Sequence, residues 1–427
     1  MFRFMQRWPL LPGLLMVGLF LYMTGTGFGG TPDSVHYLWA ARSFRDTGQL
    51  VAPDGTAYRF WGPLYPLLLS VFFGNNWVRV LHGTALVVQL LLWSKIAKWF
   101  IPSKWASLLP WLLALSAAVL TPAKFIWSEV VFGAIAAAYF YGLLAWLRKD
   151  QTNYLLLATA AGFLLPLQRT SGFFLLAGAG AGMLLTGSWR GRRWALAGHW
   201  LCCAVGGLAW NYYAEVVAGP PVYQALRGWG ALGNSVADYG FVLVRWLVPL
   251  SISWRELLPG LWAASLLGML WLLWPRRHAE KAAPGVGSQP SPDSADGLRL
   301  LWWTLVVTIV ALLVATNATR AAAGTHDAER YIAVLAGPVL LLALASWQRA
   351  ASSSLFENPK WRGAGNILLA AILIYSAARV ARNAHGQRQR TAVGWPLGAP
   401  AQKAGYIEKG KAADAAFPQT LEAKKNY

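Results

Sequence analysis

Apolar runs of roughly 20 residues recur along nearly the whole chain, and a helix of that length matches the ~30 Å of hydrocarbon in a bilayer. They fall near residues 8–28, 77–98, 105–121, 126–147, 154–168, 172–188, 194–213, 256–274, 301–318, 331–348 and 365–380. Read in order they predict an all-α polytopic membrane protein with about eleven transmembrane helices. The 427 residues are 56% hydrophobic and only 13% charged, which excludes an ordinary soluble core. Several runs end in tryptophan, as at Trp99, Trp105, Trp111 and Trp146, where indoles suit the headgroup region. A membrane β-barrel would need short alternating strands instead.

The first run follows Arg3 and Arg7 and lacks an A-x-A cleavage site, so it reads as a retained helix with a cytoplasmic N-terminus. Threading the runs from there leaves 17 of the 37 Lys and Arg in cytoplasmic loops, 11 on the opposite side and nine in the tail from Arg379. The bias is positive-inside but moderate, because parity puts the basic tail outside. A net charge of +20 without a soluble basic domain points to anionic membrane surfaces and excludes nucleic acid as a partner. Cys202 and Cys203 are adjacent within one run, a spacing that suits neither a metal site nor a mutual disulfide.

Residues 1–380 read as one transmembrane module, with 29–76 as its first extracytoplasmic loop. Inside that loop PLYPLLLSVFFG is too short to cross and reads as an interfacial or re-entrant helix. The stretch 279–297 is rich in Ala, Pro, Ser and Gly, as a flexible cytoplasmic linker would be, and 381–427 is a basic polar tail. Any chemistry must therefore be carried by loops and helix ends at the membrane surface. No GxxxxGK[ST], HExxH, GxSxG or paired CxxC motif occurs, so ATP-driven pumping, zincin proteolysis and serine-hydrolase chemistry lack support. Gly178, Gly180 and Gly182 lie within a span and suit close helix packing.

Asp33, Glu129, Arg169 and Arg330 all fall at one bilayer face once the runs are threaded. A charge near hydrocarbon costs about 2.5–3.5 kcal/mol on insertion scales, so charges of both signs gathered there imply a polar task. Asp33 opens a segment whose Val35, Leu38, Trp39 and Phe44 have helical spacing, with Arg42 and Arg45 facing outward. It is placed either to cap that helix or to act as a base where a span meets water. Glu129 either pairs with Lys124 or Arg169 or takes part in the chemistry. For Arg169 and Arg330 the alternatives are snorkelling to the interface and gripping an anion with the guanidinium fork.

An acidic residue just after the first span is followed by Tyr37, Ala40, Ala41 and Gly48, and then by Tyr58 through Leu69 with Gly62, Pro63, Tyr65 and Pro66. Downstream come TPAKFIWSEVVF, LQRTSGFFLL, LAWNYY and DAERYIAVLAGP. In this order and spacing the chain resembles the GT-C superfamily of polyprenyl-phosphate-sugar-dependent glycosyltransferases, in the branch of the protein O-mannosyltransferases and the lipid A aminoarabinose transferase. The likeness extends over about residues 1–350. Two departures are plain: Ser34 follows Asp33 where the mannosyltransferases usually carry a second acid, and no large extracytoplasmic domain is appended.

The resemblance implies a GT-C-like helical bundle with interfacial helices in the first outside loop and an extracytoplasmic active site, in a bacterial inner membrane. The donor would be a polyprenyl-phosphate-linked sugar and the acceptor a glycan, lipid or protein hydroxyl. Asp33 would be the general base of an inverting transfer, with Glu129 beside it. Arg330 and Arg169 would hold the phosphate, with Arg59 and Lys124 as weaker candidates. His36 is a lesser base candidate or a surface histidine, and Tyr331 adjoins Arg330. Tyr58, Trp61 and Tyr65 would stack on a sugar, line the lipid groove or simply anchor in the interface. A Mg²⁺ or Mn²⁺ ion, if used, would sit on Asp33 and Glu129. The rival classes are a lipid or sugar transporter or flippase, which should bury its charges deep within repeated halves, and an O-antigen polymerase or ligase, whose arginines would sit in a late loop such as 214–255.

Overall fold

A computed structural model describes residues 2–59, 61–72, 74–188, 190–219, 232–248, 250–275, 292–318, 325–352 and 358–393. The described residues are helical, with only two isolated bridges, Gly29 to Phe125 and Val51 to Ala57, in place of strands. Helices α1 (Phe2–Arg7) and α2 (Leu11–Thr24) open the chain, and α3 (Pro32–Thr47) and α4 (Leu64–Val71) occupy the first loop. The bundle continues through α5 (Asn75–Phe100), α6 (Ser103–Ala106), α7 (Leu109–Ala114), α8 (Ala117–Ala123), α9 (Glu129–Lys149) and α10 (Thr152–Gln168). Next come α11 (Gly172–Thr186), α12 (Arg193–Tyr212), α13 (Leu232–Arg245), α14 (Trp254–Leu257) and α15 (Pro259–Leu273). It closes with α16 (Pro292–Ala318), α17 (Thr325–Ile332), α18 (Ala336–Ala351) and α19 (Pro359–Val393).

Among the described residues six helical stretches are long and apolar enough to cross a membrane: 76–100, 103–123, 129–149, 295–317, 327–351 and 363–389. The shorter apolar helices are Leu11–Thr24, Gly172–Thr186 and Pro259–Leu273. Each of the eleven apolar runs is met by helix, although length and composition alone qualify six stretches as spans among the described residues, because periodicity does not register local breaks. Pro12 falls in the first turn of α2, so the first run yields a 14-residue helix of about 21 Å. The run at 105–121 is divided into three helical pieces, with Pro110 opening α7 and Pro122 inside α8. Two boundaries also move. Helix α16 begins within the expected linker, and α19 runs through Val393, past the end of its apolar run. Residues 279–291 and 394–427 lie outside the described residues.

Helix α3 is started by Thr31, not by Asp33. Thr31 and Ser34 form a reciprocal capping box, Pro32 sits in the first turn, and Gly48 ends the helix in the left-handed region at φ 73°. Asp33 is therefore spared for other contacts while still meeting the positive end of the helix dipole. Val35, Leu38 and the fully buried Tyr37, Ala40 and Ala41 form the inward face, whereas Phe44, expected with them, is exposed. The bridge at Gly29 and Phe125, with Gly29 N donating to Lys124 O at 2.8 Å, lays the segment before α3 beside the segment before α9.

Small residues set the closest helix crossings, as expected where lipid offers no hydrophobic drive to association. Gly178 and Gly182, one turn apart on α11, face the backbone of α16, where an added Cβ would come within 2.8 Å of Thr304 O and Leu300 O respectively. Gly180 points elsewhere, and its Cβ would stand 3.6 Å from the Trp200 ring, an ordinary contact. Gly182→Ala should therefore lower stability by about 1 kcal/mol or more through overpacking. Gly180→Ala should be neutral or stabilising. Thermal unfolding of the two detergent-purified variants distinguishes them, and equal midpoints would mean that the crossing yields to a methyl group.

Candidate active site

Four helix ends meet at one place. Asp33 lies in the first turn of α3 and Glu129 in the first turn of α9, while Arg169 is the C-terminal cap of α10 and Arg330 lies in the last turn of α17. Acids at N-termini and arginines at C-termini are the arrangement that helix dipoles favour. Between the helices the charges pair directly. Arg330 donates from Nε to Glu129 Oε1 and from Nη2 to Asp33 Oδ2, so one guanidinium spans both carboxylates. Arg169 Nη1 reaches Glu129 Oε1 at 2.7 Å and donates to Ser128 Oγ at 2.9 Å.

The four are not equally accessible. The Glu129 side chain is only 4% exposed, whereas that of Asp33 is 20% exposed. Solvent therefore reaches Asp33, and Glu129 is sealed beneath the two arginines with its Oε2 buried and without a hydrogen-bond partner among the described residues. Trp127 covers the cluster from one side. Its ring centroid is 4.2 Å from Arg330 Cζ, and its Nε1 donates to Thr31 Oγ1 at 2.7 Å, so the residue that starts α3 also holds the cation–π partner of Arg330.

Below the charges lies a buried hydroxyl layer that sequence reasoning did not single out. Ser128 Oγ and Tyr37 OH share a 3.1 Å hydrogen bond, and Gln168 Nε2 donates to Ser128 O at 2.9 Å. Ser128 and Gln168 each immediately precede a charged member of the cluster and lie within the TPAKFIWSEVVF and LQRTSGFFLL motifs, which is the signal the sequence held for them. The Tyr37 ring packs edge-to-face on Tyr65 at 4.9 Å, and Tyr65 OH meets His82 Nε2 at 2.7 Å. Burial raises the phenols of Tyr37, Tyr58 and Tyr65 above their ordinary value, so all three are neutral hydrogen-bonding groups.

Tyr58 and Tyr65 are fully buried, a correction to the expectation of aromatic faces free to stack on a ligand or line a groove. Trp61 instead receives the His36 ring edge-on at 5.3 Å and lies 5.4 Å from Tyr37. His36 is half-buried, so it is no simple surface histidine. Tyr331 packs against the core within electrostatic reach of Asp327, Arg169, Arg330 and Asp33. Arg59 lies over Gly219, whose added Cβ would stand 2.9 Å from the guanidinium Nη1. Lys124 sits over the Phe125 ring at 5.0 Å.

A divalent ion bridging Asp33 and Glu129 would compete with Arg330, which takes Glu129 Oε1 and Asp33 Oδ2 and leaves Glu129 Oε2 buried without a hydrogen-bond partner among the described residues. No group of three or more His, Cys, Asp or Glu side chains placed to hold a metal occurs among the described residues. In this arrangement the Arg330 guanidinium occupies the position between the two acids.

No family model and no curated protein matches the chain. Its fold does have solved counterparts. The crystal structures of ArnT from Cupriavidus metallidurans, one bound to undecaprenyl phosphate and one in the apo state, each superpose with a TM-score of 0.56 at 13% sequence identity. The alignments cover 97% of this chain and 77% and 76% of those chains. A fold shared over this length, with its long apolar helices, marks the chain as an integral membrane protein with the fold seen in ArnT.

Proposed function

We propose that the chain is a membrane glycosyltransferase that uses a polyprenyl-phosphate-linked sugar and transfers the sugar to an acceptor hydroxyl at the extracytoplasmic face of a bacterial inner membrane. The observation that carries this reading is the Arg330 guanidinium spanning Asp33 and Glu129 at converging helix ends, in a chain with the fold of a protein crystallised with undecaprenyl phosphate. A fork of this kind matches two phosphate oxygens.

The exposure difference assigns the two acids different parts. Asp33, reached by solvent, is the base that accepts the hydroxyl proton while the acceptor oxygen attacks the anomeric carbon. Glu129, sealed under Arg169 and Arg330, fixes both guanidiniums and stays charged throughout. As the bond from the anomeric carbon to the phosphate oxygen breaks, negative charge grows on the departing polyprenyl phosphate, and Arg330 and Arg169 offset it. Arg330 holds Asp33 through Oδ2, so the proton goes to Oδ1, and donor phosphate that draws the guanidinium toward itself makes the carboxylate more basic as it does so. A single displacement of this kind inverts the anomeric centre. No step is routed through a metal ion.

In this reading His36, one turn along α3 from Asp33, and Tyr331, next to Arg330, contact the acceptor or the sugar, while Tyr58 and Tyr65 support the cluster from within the core. Arg59 would meet the donor headgroup.

Purified protein assayed with a panel of polyprenyl-phosphate sugars should turn over at least one of them, and failure across the whole panel would refute the activity. Asp33→Asn should lower turnover by about 100- to 10,000-fold while leaving donor affinity within a few-fold; full turnover would remove Asp33 as base. Arg330→Ala should weaken donor binding by about 10- to 100-fold, read by titration with the polyprenyl phosphate alone. Glu129→Gln should instead unfold early, losing about 3–5 kcal/mol because two buried guanidiniums lose their shared partner. A normal unfolding midpoint for that variant would show that Glu129 does not anchor the cluster.

A further inference from the structure

Helix α17 carries charge to two sides, because consecutive side chains on a helix diverge by about 100°. Arg330 turns toward Asp33 and Glu129. Its neighbour Glu329 turns away, toward α13 and α19, where Oε1 accepts from Arg379 Nη2 at 2.6 Å and Oε2 lies 3.8 Å from Arg245 Nη1. Arg379 Nη1 and Tyr375 OH both donate to the Arg245 backbone carbonyl, at 2.9 Å and 3.1 Å. These groups form one wall of a cavity of about 460 Å³ lined by Arg245, Ser251, Ile252, Tyr375, Arg379 and Arg382, among others. Through Glu329 and Arg330 it lies at the same end of the bundle as the candidate active site but on the other flank of α17.

The charge at this cavity is unbalanced. Arg245, Arg379 and Arg382 face it, and the described lining contains no carboxylate; among the described residues the acid paired with the wall is Glu329, already divided between two of the arginines. Arg245 Nε is buried with no hydrogen-bond partner among the described residues. Burial, then the neighbouring charge of Arg379, hold the Arg245 guanidinium below its ordinary value, with Arg382 adding to the crowding and Glu329 and Tyr375 only partly offsetting it. The side chain stays charged regardless, since arginine does not give up its proton in proteins. Buried like charges with an unmet donor are the setting for a bound anion.

The surroundings say what carries that anion. The cavity opens between α19, which has the length and composition to cross a membrane, and the segment at Leu250–Ile252. Two aliphatic side chains, Leu250 and Ile252, line the cavity, and Ile252 is 40% exposed. A free phosphate would leave these aliphatic side chains uncovered, whereas a lipid would lay its acyl chain along them. We propose that this cavity binds the phosphate headgroup of an anionic membrane lipid, with Arg245, Arg379 and Arg382 as its cationic wall and Glu329 holding Arg379 in place. The site is separate from the donor pocket and does not rest on the activity proposed above.

Delipidated full-length protein in a neutral detergent, titrated in turn with phosphatidylglycerol, phosphatidylcholine and inorganic phosphate and read by native mass spectrometry, tests this directly. One phosphatidylglycerol should bind at least about tenfold more tightly than phosphatidylcholine, and Arg379→Gln should weaken it by about 10- to 100-fold. Arg382 is exposed on α19, so Arg382→Gln provides a variant whose fold is not at stake, and it too should lose affinity. Equal affinity for the two lipids, or phosphatidylglycerol binding unchanged in Arg382→Gln, overturns the site. Inorganic phosphate binding as tightly as phosphatidylglycerol overturns the lipid and leaves a simple anion pocket.

Discussion

Everything near the candidate site depends on placing two carboxylates and two guanidiniums beside hydrocarbon without leaving any of them uncompensated. A buried ion pair gains little over an apolar contact, but losing one partner strands the other, so such a cluster persists only if each member is held. Here the holding is done by helix ends. Each acid meets the positive end of its own helix and each arginine the negative end of its own, and the four pair across the gap. The segments that bring those ends together are local: the Gly29 to Phe125 bridge, the Thr31 capping box and the Trp127 to Thr31 hydrogen bond.

Under the charges the protein places neutral donors and acceptors, not more ions. Ser128, Tyr37 and Gln168 connect the Arg169 side of the cluster to α3 and α10, and the Tyr37, Tyr65 and His82 contacts carry the order down into the core. Because burial keeps these phenols protonated, they enter the layer as neutral hydrogen-bonding groups and add no charge to the cluster above.

The sequence disclosed the class of fold and the members of the cluster more readily than the shape of either. Apolar runs identify a helical membrane bundle because length against bilayer thickness is a strong constraint, and ordered motifs pointed to the GT-C architecture that the ArnT structures share. Prolines such as Pro12, Pro110 and Pro122 then broke the runs in ways that hydropathy does not register. Asp33, Glu129, Arg169 and Arg330 stood out because charges at span ends are costly. Ser128 and Gln168 did not, since a small hydroxyl or amide beside a charge is unremarkable until the fold buries it. Tyr58 and Tyr65 show the converse: aromatic residues in an interfacial loop suggest exposed rings, and only the packing of α3 and α4 against the bundle reveals that they are interior. Asp33 also had a second plausible role as a helix cap, which Thr31 takes instead.

Glu329 and Arg330 are joined by one peptide bond on a helix of eight residues, yet they face two separate sets of charged neighbours. They stand at the head of the continuous helical stretch 327–351, so a shift of the backbone there moves both side chains. If α17 rotates or slides to suit an occupant on one flank, the pairing on the other is remade in the same movement, and thermodynamic reciprocity then requires each occupant to alter the affinity of the other by an identical factor. The lipid composition around the protein would in that case set how readily the sugar donor is held.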